Sequence, residues 1–427
     1  MRVQLAMADP MVIVIGAGPV GLAAAAQALA RGLNVQVFER GDEVGRNIVD
    51  WGHIRLFSPW RYLIDDACSA LLEPGGWRRP DPEEIPLGHE FVQRYLRPLA
   101  EHPRLRERIH TGTEFVQASL QGFDKVKGSG RQAAKLLVRL RRGADVRDWE
   151  AGALIDASGV WQNHNPLGAN GLPALGEAEF RGRIHYGSPD VLGTAKKRYV
   201  GRRTAVVGGG HTAANVLLNL LTLAQEPGNT EVLWVLRGDR ASQLQPREND
   251  QLPARGALGN AVADALAAQH LSQLRSFRIQ RLALAPNGRV EIIAEDGRRA
   301  VVDEIIASTG QRPQLEPLRE LRLEFDPILE STPQLAPHID PNEHSCGDVK
   351  PHGWRELRHP QEPDVYVIGA KSYGRAPTFL MATGYEQARS VVAAIDGDIE
   401  AADRVELVLP QTGVCGTGGG QTVAGCC

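Results

Sequence analysis

Two glycine-rich stretches of the sequence have residue types and spacing that suit dinucleotide phosphates. The first follows the apolar residues 12–15 and reads Gly16-x-Gly18-Pro19-x-Gly21. In such a turn the first glycine makes the tight bend, the second lets a pyrophosphate approach the backbone, and the third lets a helix pack on a strand. Phosphates are also favoured by the unpaired N–H groups and the positive dipole end at a helix start. The stretch therefore predicts a dinucleotide site.

The residues after this turn complete a strand–helix–strand unit. An alanine-rich helix is expected over residues 22–31, Gly32 closes it, and an apolar strand over residues 35–38 ends at Glu39. A carboxylate at this position accepts hydrogen bonds from a ribose diol. The apolar run as a whole is about long enough to span a bilayer, but glycines and a proline interrupt its centre. We therefore expect no membrane segment here.

The second glycine-rich stretch follows an apolar strand that begins at Arg203. Five residues at the turn and the start of the following helix are expected to contact a ligand. These are Gly208, Gly210, His211, Thr212 and Ala213. The next strand, over residues 232–236, ends at Arg237. A guanidinium at this position fits a 2′-phosphate, whereas an acid would bond a free 2′-hydroxyl. The second site is therefore predicted to take NADP(H), with His211 as a polar member of the phosphate turn.

The order of these parts resembles the two-dinucleotide-binding-domain flavoproteins, which include flavin-containing monooxygenases, thioredoxin reductases and disulfide reductases. The resemblance spans residues 12–393 and includes the strand-and-turn segments 154–161, 303–313 and 365–370. It implies an α/β fold with two Rossmann-like domains, each with a small β-meander. The expected boundaries are 10–170 and 319–405 for a split FAD domain, 171–318 for the inserted NADPH domain, and 406–427 for a flexible Gly/Cys tail.

The resemblance also implies which residues hold each cofactor. FAD is expected at Gly16, Gly18, Pro19, Gly21, Glu39, Arg40, Ala157, Gly159, Gly369 and Pro377. NADPH is expected at Gly208, Gly210, His211, Thr212, Ala213 and Arg237. Pro377 suits the first turn of a helix whose N-terminus, in this group, points at the flavin ring. Nearby Lys371 and Arg375 could add positive charge at the ring, although exposed basic residues are the default expectation.

Within the group, the sequence favours the monooxygenase branch. Residues 180–187 read FRGRIHYG, which resembles the monooxygenase signature FxGxxxH but is one residue short. Cysteines spaced CxxC or CxxxxC, which disulfide reductases of the group need, do not occur, and Cys68 is expected to be buried filler. The main hypothesis is an FAD enzyme that takes hydride from NADPH and oxygenates a nucleophilic substrate through a flavin hydroperoxide. No catalytic side chain is assigned.

Four cysteines are candidate substrate contacts. Cys346 lies in a histidine-rich segment, whose spacing matches no zinc pattern, and Cys415, Cys426 and Cys427 lie in the tail. Thiolates bind soft metals and trivalent metalloids well, so the tail could capture arsenite or its methylated form. Residues 371–395 also resemble bacterial flavoproteins found among arsenic-resistance genes. The alternatives are a reductase of disulfides or metal ions that uses the tail dithiol, a non-enzymatic flavin redox sensor, and a tail without a role.

Composition limits the possible partners. A net charge of -3 over 427 residues provides no basic field for nucleic acid or an anionic membrane surface. Five cysteines, an odd number, do not form a secreted disulfide framework, so a cytoplasmic protein is expected. The predicted partners are a small-molecule or metalloid substrate and dioxygen, and the oligomeric state, including a homodimer, stays open.

Overall fold

The computed structural model describes residues 11–241, 244, 253–344, 349 and 351–407. They form two compact units. Unit 1 contains the described residues of Met1–Trp161, Pro313–Glu343 and Val349–Leu409. Unit 2 contains Gln162–Arg312, apart from the undescribed residues in that range, and His344.

The first part of unit 1 alternates strands and helices. Its strands are β1 (Val12–Ile15), β2 (Val35–Phe38), β3 (Ile109–His110), β4 (Glu114–Leu120), β5 (Leu136–Arg142), β6 (Asp145–Ala151) and β7 (Ala153–Asp156). Its helices are α1 (Pro19–Ala30), α2 (Arg46–Asp50), α3 (Asp66–Leu72), α4 (Gly88–Phe91) and α5 (Arg97–Glu101). A π-helical turn, Val92–Leu96, joins the last two helices.

Unit 2 follows, and the chain then returns to unit 1. The strands of unit 2 are β8 (Ile184–Tyr186), β9 (Arg203–Val207), β10 (Glu231–Val235), β11 (Ser272–Leu274), β12 (Ile279–Leu284), β13 (Val290–Ala294), β14 (Arg299–Val302) and β15 (Glu304–Ala307). Its helices are α6 (Lys196–Tyr199), α7 (His211–Ala224) and α8 (Pro253–Ala267). The returning segment adds β16 (Arg358–His359), β17 (Glu362–Val367), α9 (Ala336–Ile339), α10 (Trp354–Leu357), α11 (Met381–Ile395) and α12 (Ile399–Asp403).

The main sheet of unit 1 has the strand order β16-β17-β7-β1-β2-β3. All neighbours pair in parallel except β16, which is antiparallel to β17. Strand β1 is buried along its whole length, and α1 connects it to β2. The chain order changes direction between β1 and β7, and ligands of open α/β sheets bind at such switch points, beyond the carboxyl ends of the strands. The expected meander is confirmed as the antiparallel sheet β4-β5-β6.

The main sheet of unit 2 repeats this design with the order β11-β10-β9-β15-β8, all pairs being parallel. Its meander, β12-β13-β14, is antiparallel. The hairpin turn between β12 and β13 has Gly288 at φ +76°, as the sequence predicts for Pro-Asn-Gly. The α/β fold with two Rossmann-type units is therefore confirmed.

Two helix expectations need correction. Helix α1 begins at Pro19 rather than at residue 22, because proline is well suited to the first helical position. Helix α11 begins only at Met381, so Pro377 does not lie in its first turn. None of the described helices is long and apolar enough to cross a bilayer.

Candidate functional site

The glycine turn of unit 1 is closely packed at two of its glycines. Gly16 has φ +95°, and a Cβ on it would lie 2.8 Å from the carbonyl oxygen of Ala157. A Cβ on Gly21 would lie 1.9 Å from the carbonyl oxygen of Gly16. Real Cβ atoms do not approach backbone this closely, so both positions require glycine for the packing of β1, α1 and the turn after β7.

Gly18 has a different environment. It is the N-cap of α1, its backbone is extended, and a Cβ on it would meet nothing within 4 Å. No side chain caps the helix there. Packing within the chain therefore does not require glycine at this position, whereas a phosphate that approaches the backbone N–H groups does. The turn fits a dinucleotide.

Glu39 joins the end of β2 to this turn. Its carboxylate accepts hydrogen bonds from the backbone N–H of Ala17 at 2.9 Å and of Gly41 at 2.7 Å. A carboxylate has about four lone-pair sites, so capacity remains for ribose hydroxyls. The sequence assigned Glu39 only to the ribose and missed its role in shaping the turn. Arg40, the neighbouring expected contact, is exposed.

The turns after β7 and β17 reach the same edge of the unit 1 sheet. Ala157 abuts Gly16, and Gly159 has φ +72°. Gly369, after β17, has φ +71°, and a Cβ on it would lie 3.5 Å from the side chain of Val20. The structure thus places Ala157 and Gly369 beside the glycine turn, as expected for a single site.

Pro377 and Lys371 differ from the sequence expectations. Pro377 lies in a non-helical segment, because Phe379 packs edge-on against Tyr373 at 5.3 Å and Leu380 keeps an extended backbone up to the start of α11. Lys371, expected to be exposed, is only 3% exposed. Its ammonium group forms an ion pair with Asp156, a partner that the sequence did not indicate.

The glycine turn of unit 2 repeats the close packing. Gly208 has φ +139°, and a Cβ on it would lie 2.1 Å from the carbonyl oxygen of Ser308. Gly210 is the N-cap of α7, and Ala213 is fully buried in its first turn. The helix begins with two half-buried expected contacts, His211 and Thr212.

A cavity of about 370 Å³ lies beside Arg237, which follows β10 in unit 2. It is lined by Ala169, Asn170, Arg237, Gly238, Arg278 and Glu295. The backbone N–H groups of Ser276 and Phe277 donate to Gly238 and Leu236, which brings Arg278 to the same cavity as Arg237. Two guanidinium groups against one carboxylate favour an anionic group such as a phosphate monoester. The sequence missed Arg278, since only this backbone pairing places it near β10.

The interior of unit 1 holds the described cysteine. Cys68 is fully buried in α3, as expected, and burial raises the pKa of its thiol well above the usual value. It is the only cysteine among the residues that the structure describes. A buried thiol of raised pKa is a poor nucleophile. Cys346, Cys415, Cys426 and Cys427 lie outside the described residues.

Two further buried groups of unit 1 titrate abnormally. Burial raises the pKa of Asp65 to about 6, opposed by the hydrogen bond from the backbone N–H of Cys68. Burial lowers the pKa of His359 to about 4. Its Nδ1 accepts a hydrogen bond from the backbone N–H of Glu324. Both groups therefore favour their neutral forms in the folded chain.

Comparison with known proteins gives one family match. The family model of the pyridine nucleotide-disulphide oxidoreductases matches residues 10–361. A flavin-containing monooxygenase of Arabidopsis thaliana, FMO GS-OX-like 7, is 30% identical over 175 residues. That match covers 35% of this chain and 34% of the relative, so the chain matches only about a third of the relative's length.

Solved structures share the fold at low sequence identity. Bacillithiol disulfide reductase from Bacillus cereus has a TM-score of 0.66 and 16% identity, with 91% of this chain and 99% of that chain covered. The FAD-bound cadaverine monooxygenase of desferrioxamine biosynthesis from Erwinia amylovora has a TM-score of 0.66 and 15% identity, with 98% and 100% covered. A mutant flavin monooxygenase from Stenotrophomonas maltophilia has a TM-score of 0.59 and 23% identity, with 92% and 99% covered.

Proposed function

Because the chain belongs to the pyridine nucleotide-disulphide oxidoreductase family and is a flavoprotein oxidoreductase, we propose that it is an NADPH-dependent FAD monooxygenase. Unit 1 binds FAD and unit 2 binds NADPH. When bound, FAD would supply the hydride-accepting and oxygen-transfer chemistry. The substrate is a small nucleophilic or thiophilic molecule, and the second substrate is dioxygen.

The FAD assignment is supported by the turn of unit 1. Gly16 and Gly21 are glycines because neighbouring backbone leaves no room, but Gly18 has open space that suits the pyrophosphate. Glu39 keeps acceptor capacity for the adenosine ribose. The proposed FAD contacts are Gly16, Gly18, Pro19, Gly21, Glu39, Arg40, Ala157, Gly159, Gly369 and Pro377.

The NADPH assignment is supported by the arginine cavity of unit 2. The strand after the second glycine turn, β10, is followed by Arg237, whereas NAD sites have an acidic residue at this position. Arg278 adds a second guanidinium group to the lining of the cavity. The proposed NADPH contacts are Gly208, Gly210, His211, Thr212, Ala213, Arg237 and, from the structure, Arg278.

One observation favours oxygenation over disulfide reduction. The cysteine in the described part of the chain, Cys68, is inaccessible, and the sequence contains no CxxC or CxxxxC pair. The chain therefore has no internal cysteine pair of the usual spacing that would take electrons from FAD. Dioxygen is an acceptor that needs no protein thiol. The names of the Arabidopsis and Erwinia relatives agree with this chemistry for those proteins.

The tail cysteines support a narrower substrate proposal and also a competing function. We propose that Cys415, Cys426 and Cys427 capture a trivalent arsenical, such as arsenite or methylarsenite, because thiolates bind soft metalloids. Alternatively, the adjacent pair Cys426 and Cys427 exchanges electrons with FAD in a reductase of disulfides or metal ions. A chain ended after Pro410 tests both, because each predicts that arsenical-dependent or disulfide-dependent NADPH consumption is lost.

Oxygen uptake during NADPH oxidation tests the main proposal. A monooxygenase consumes dioxygen with NADPH and stops when dioxygen is excluded, whereas a reductase continues anaerobically with a disulfide or metal ion. Undiminished anaerobic turnover would overturn the monooxygenase proposal. Bound flavin with negligible turnover under both conditions would instead indicate a redox sensor, and a colourless protein that takes up no added FAD would overturn the cofactor assignment.

A further inference from the structure

A buried ion pair lies at the edge of the unit 1 sheet where β7 and β17 end. The Nζ of Lys371 lies 2.6 Å from Oδ2 of Asp156 and 3.1 Å from Oγ of Ser158. The side chains of Lys371 and Asp156 are 3% and 0% exposed. The other carboxylate oxygen, Oδ1 of Asp156, accepts hydrogen bonds from the backbone N–H and the hydroxyl of Ser158. The three side chains thus join two turns that are 213 residues apart in sequence.

Each of these two turns touches the glycine turn. A Cβ on Gly16 would lie 2.9 Å from the Cα of Ser158, and the position of a Cβ on Gly369 is 3.5 Å from Val20 of α1. A displacement of either turn would therefore move the wall on which the glycine turn rests. The ion pair therefore lies between two turns that both contact the glycine turn.

A second group of buried polar side chains holds the turn after β17 from its other side. The Oε1 of Gln387, in α11, accepts a hydrogen bond from the backbone N–H of Gly369 at 2.7 Å. Ser372 Oγ donates to the carbonyl oxygen of Gly369, and Gln387 Nε2 donates to Ser372 Oγ. Gln387 fixes this turn on the α11 side. Toward the turn after β7, the backbone N–H of Ile368 donates to the carbonyl oxygen of Asp156 at 3.0 Å, and Lys371 adds the side-chain link.

Stability is a weak explanation for a buried ion pair. Burying two charges costs desolvation energy that their attraction often fails to exceed, so well-packed apolar residues are frequently as stabilising as a buried pair. What an apolar pair cannot provide is the directional bonding of one ammonium group to both Asp156 and Ser158. A second buried pair of unit 1, Arg131 with Glu362, lies at the opposite, amino-terminal end of β17. The two pairs can therefore be compared.

We propose that Lys371 is a positioning residue for the FAD site, which holds the turn at Ser158 and the turn at Gly369 against the glycine turn in the geometry that FAD requires. This inference rests on the proposed function, since it takes unit 1 as the FAD unit. Lys371 acts through Asp156 and Ser158, and its contribution is separable from the overall stability of the fold.

The test compares FAD affinity with thermal stability in Lys371→Met and in the double variant Lys371→Met with Asp156→Leu. The single variant leaves an uncompensated buried carboxylate, so both properties fall. The double variant removes that charge, so the melting temperature recovers toward that of the wild type, but the FAD dissociation constant stays raised by about tenfold or more. The visible circular dichroism of bound FAD, which reports the flavin environment, differs from the wild-type spectrum.

Controls keep the result interpretable. The matched double variant Arg131→Met with Glu362→Leu changes melting temperature without changing the FAD dissociation constant. If Lys371→Met does not fold, the double variant and Ser158→Ala, which removes one hydroxyl, carry the test, and Ser158→Ala is expected to raise the dissociation constant by about threefold. A wild-type FAD dissociation constant and flavin spectrum in both would overturn the inference. A wild-type protein that binds no FAD would instead overturn the proposed function.

Discussion

The two glycine turns are packed alike, but the strands that follow them end in residues of opposite charge. In both units the first glycine is pressed against the backbone of a neighbouring strand end, Ala157 in unit 1 and Ser308 in unit 2. After the second strand, unit 1 has Glu39 and unit 2 has Arg237. The shared packing is a property of the strand–turn–helix architecture, while the charge is a property of the ligand. The fold alone therefore does not say which cofactor each unit takes.

The largest expected effect comes from breaking the shared packing. Gly21→Ala places a Cβ 1.9 Å from the backbone of Gly16, and Gly208→Ala places one 2.1 Å from the backbone of Ser308. Each should lower the free energy of unfolding by about 3 kcal/mol or more, because backbone cannot give way as a flexible side chain can. Chemical denaturation measures the effect. Wild-type stability in either variant would contradict the packing described for that turn.

A change at Gly18 should separate ligand binding from packing. Gly18→Ala meets open space and an extended backbone, so the free energy of unfolding without cofactor should stay within about 0.5 kcal/mol of the wild type. The added methyl group obstructs the pyrophosphate, and the FAD dissociation constant should rise by about tenfold or more. Fluorescence titration of the apoprotein with FAD measures this.

The matched control for Gly18 is Gly75→Ala in the same unit. A Cβ on Gly75 also meets nothing within 4 Å, and the residue is exposed in a short 3₁₀ turn. Both stability and FAD affinity should be unchanged there. Equal FAD affinities in the Gly18 and Gly75 variants would remove the argument that the turn of unit 1 faces a phosphate.

The charge difference between the units is tested at the arginine cavity. Arg237→Gln and Arg278→Gln should each raise the KM for NADPH by about tenfold, because each removes a charge-assisted contact to the 2′-phosphate. The KM for NADH should change little. Arg299→Gln, at a guanidinium that is 62% exposed and paired with Glu291, is the control. Equal changes in KM for NADPH and NADH would show that the cavity does not bind the 2′-phosphate.

The smallest expected effect is on the pH dependence of the free energy of unfolding. His359 in unit 1 has its pKa lowered from 6.5 to about 4, so between these values the unfolded chain binds more protons than the folded chain. Stability is then fully present above the unfolded pKa and falls as pH decreases toward the folded pKa. His359→Asn, which keeps an acceptor for the backbone N–H of Glu324, should abolish about 1 kcal/mol of the loss between about pH 7.5 and about pH 6.

Asp65 acts in the opposite direction but does not disturb this comparison. Its pKa is raised to about 6, so its contribution to stability decreases as pH rises from about 4 to about 6. Asp65 is present in both the wild type and the His359 variant, and its effect cancels in their difference. Parallel curves of unfolding free energy against pH for the two proteins would contradict the assignment for His359.

The sequence predicted the parts of the site that depend on short-range patterns. Glycine spacing, the apolar strands and the Pro-Asn-Gly hairpin are local signals, and they were enough for the fold class and for both turns. The charge at Arg237 was likewise visible, because its position is counted from a predicted strand. Each of these signals comes from residues that lie within a few tens of positions of one another in the sequence.

Features that depend on distant segments were not predictable in this way. Lys371 meets Asp156 across 215 residues, and nothing local marks either as buried. Arg278 reaches the cavity only through the pairing of residues 276 and 277 with 236 and 238. Pro377 has a local signal for a helix start, but the packing of Phe379 on Tyr373 overrides it. In each case tertiary packing decides the outcome.

Because Cys68 is buried, the number of thiols labelled in the folded protein reports on the other four cysteines. A membrane-impermeant maleimide added to the folded protein cannot reach that sulfur, so every adduct formed would map to the other four cysteines. Denaturation before labelling then adds Cys68 to the count. Protection by a trivalent arsenical could thus be followed at the tail by mass spectrometry, with the shielded sulfur as an internal standard for intactness of the fold.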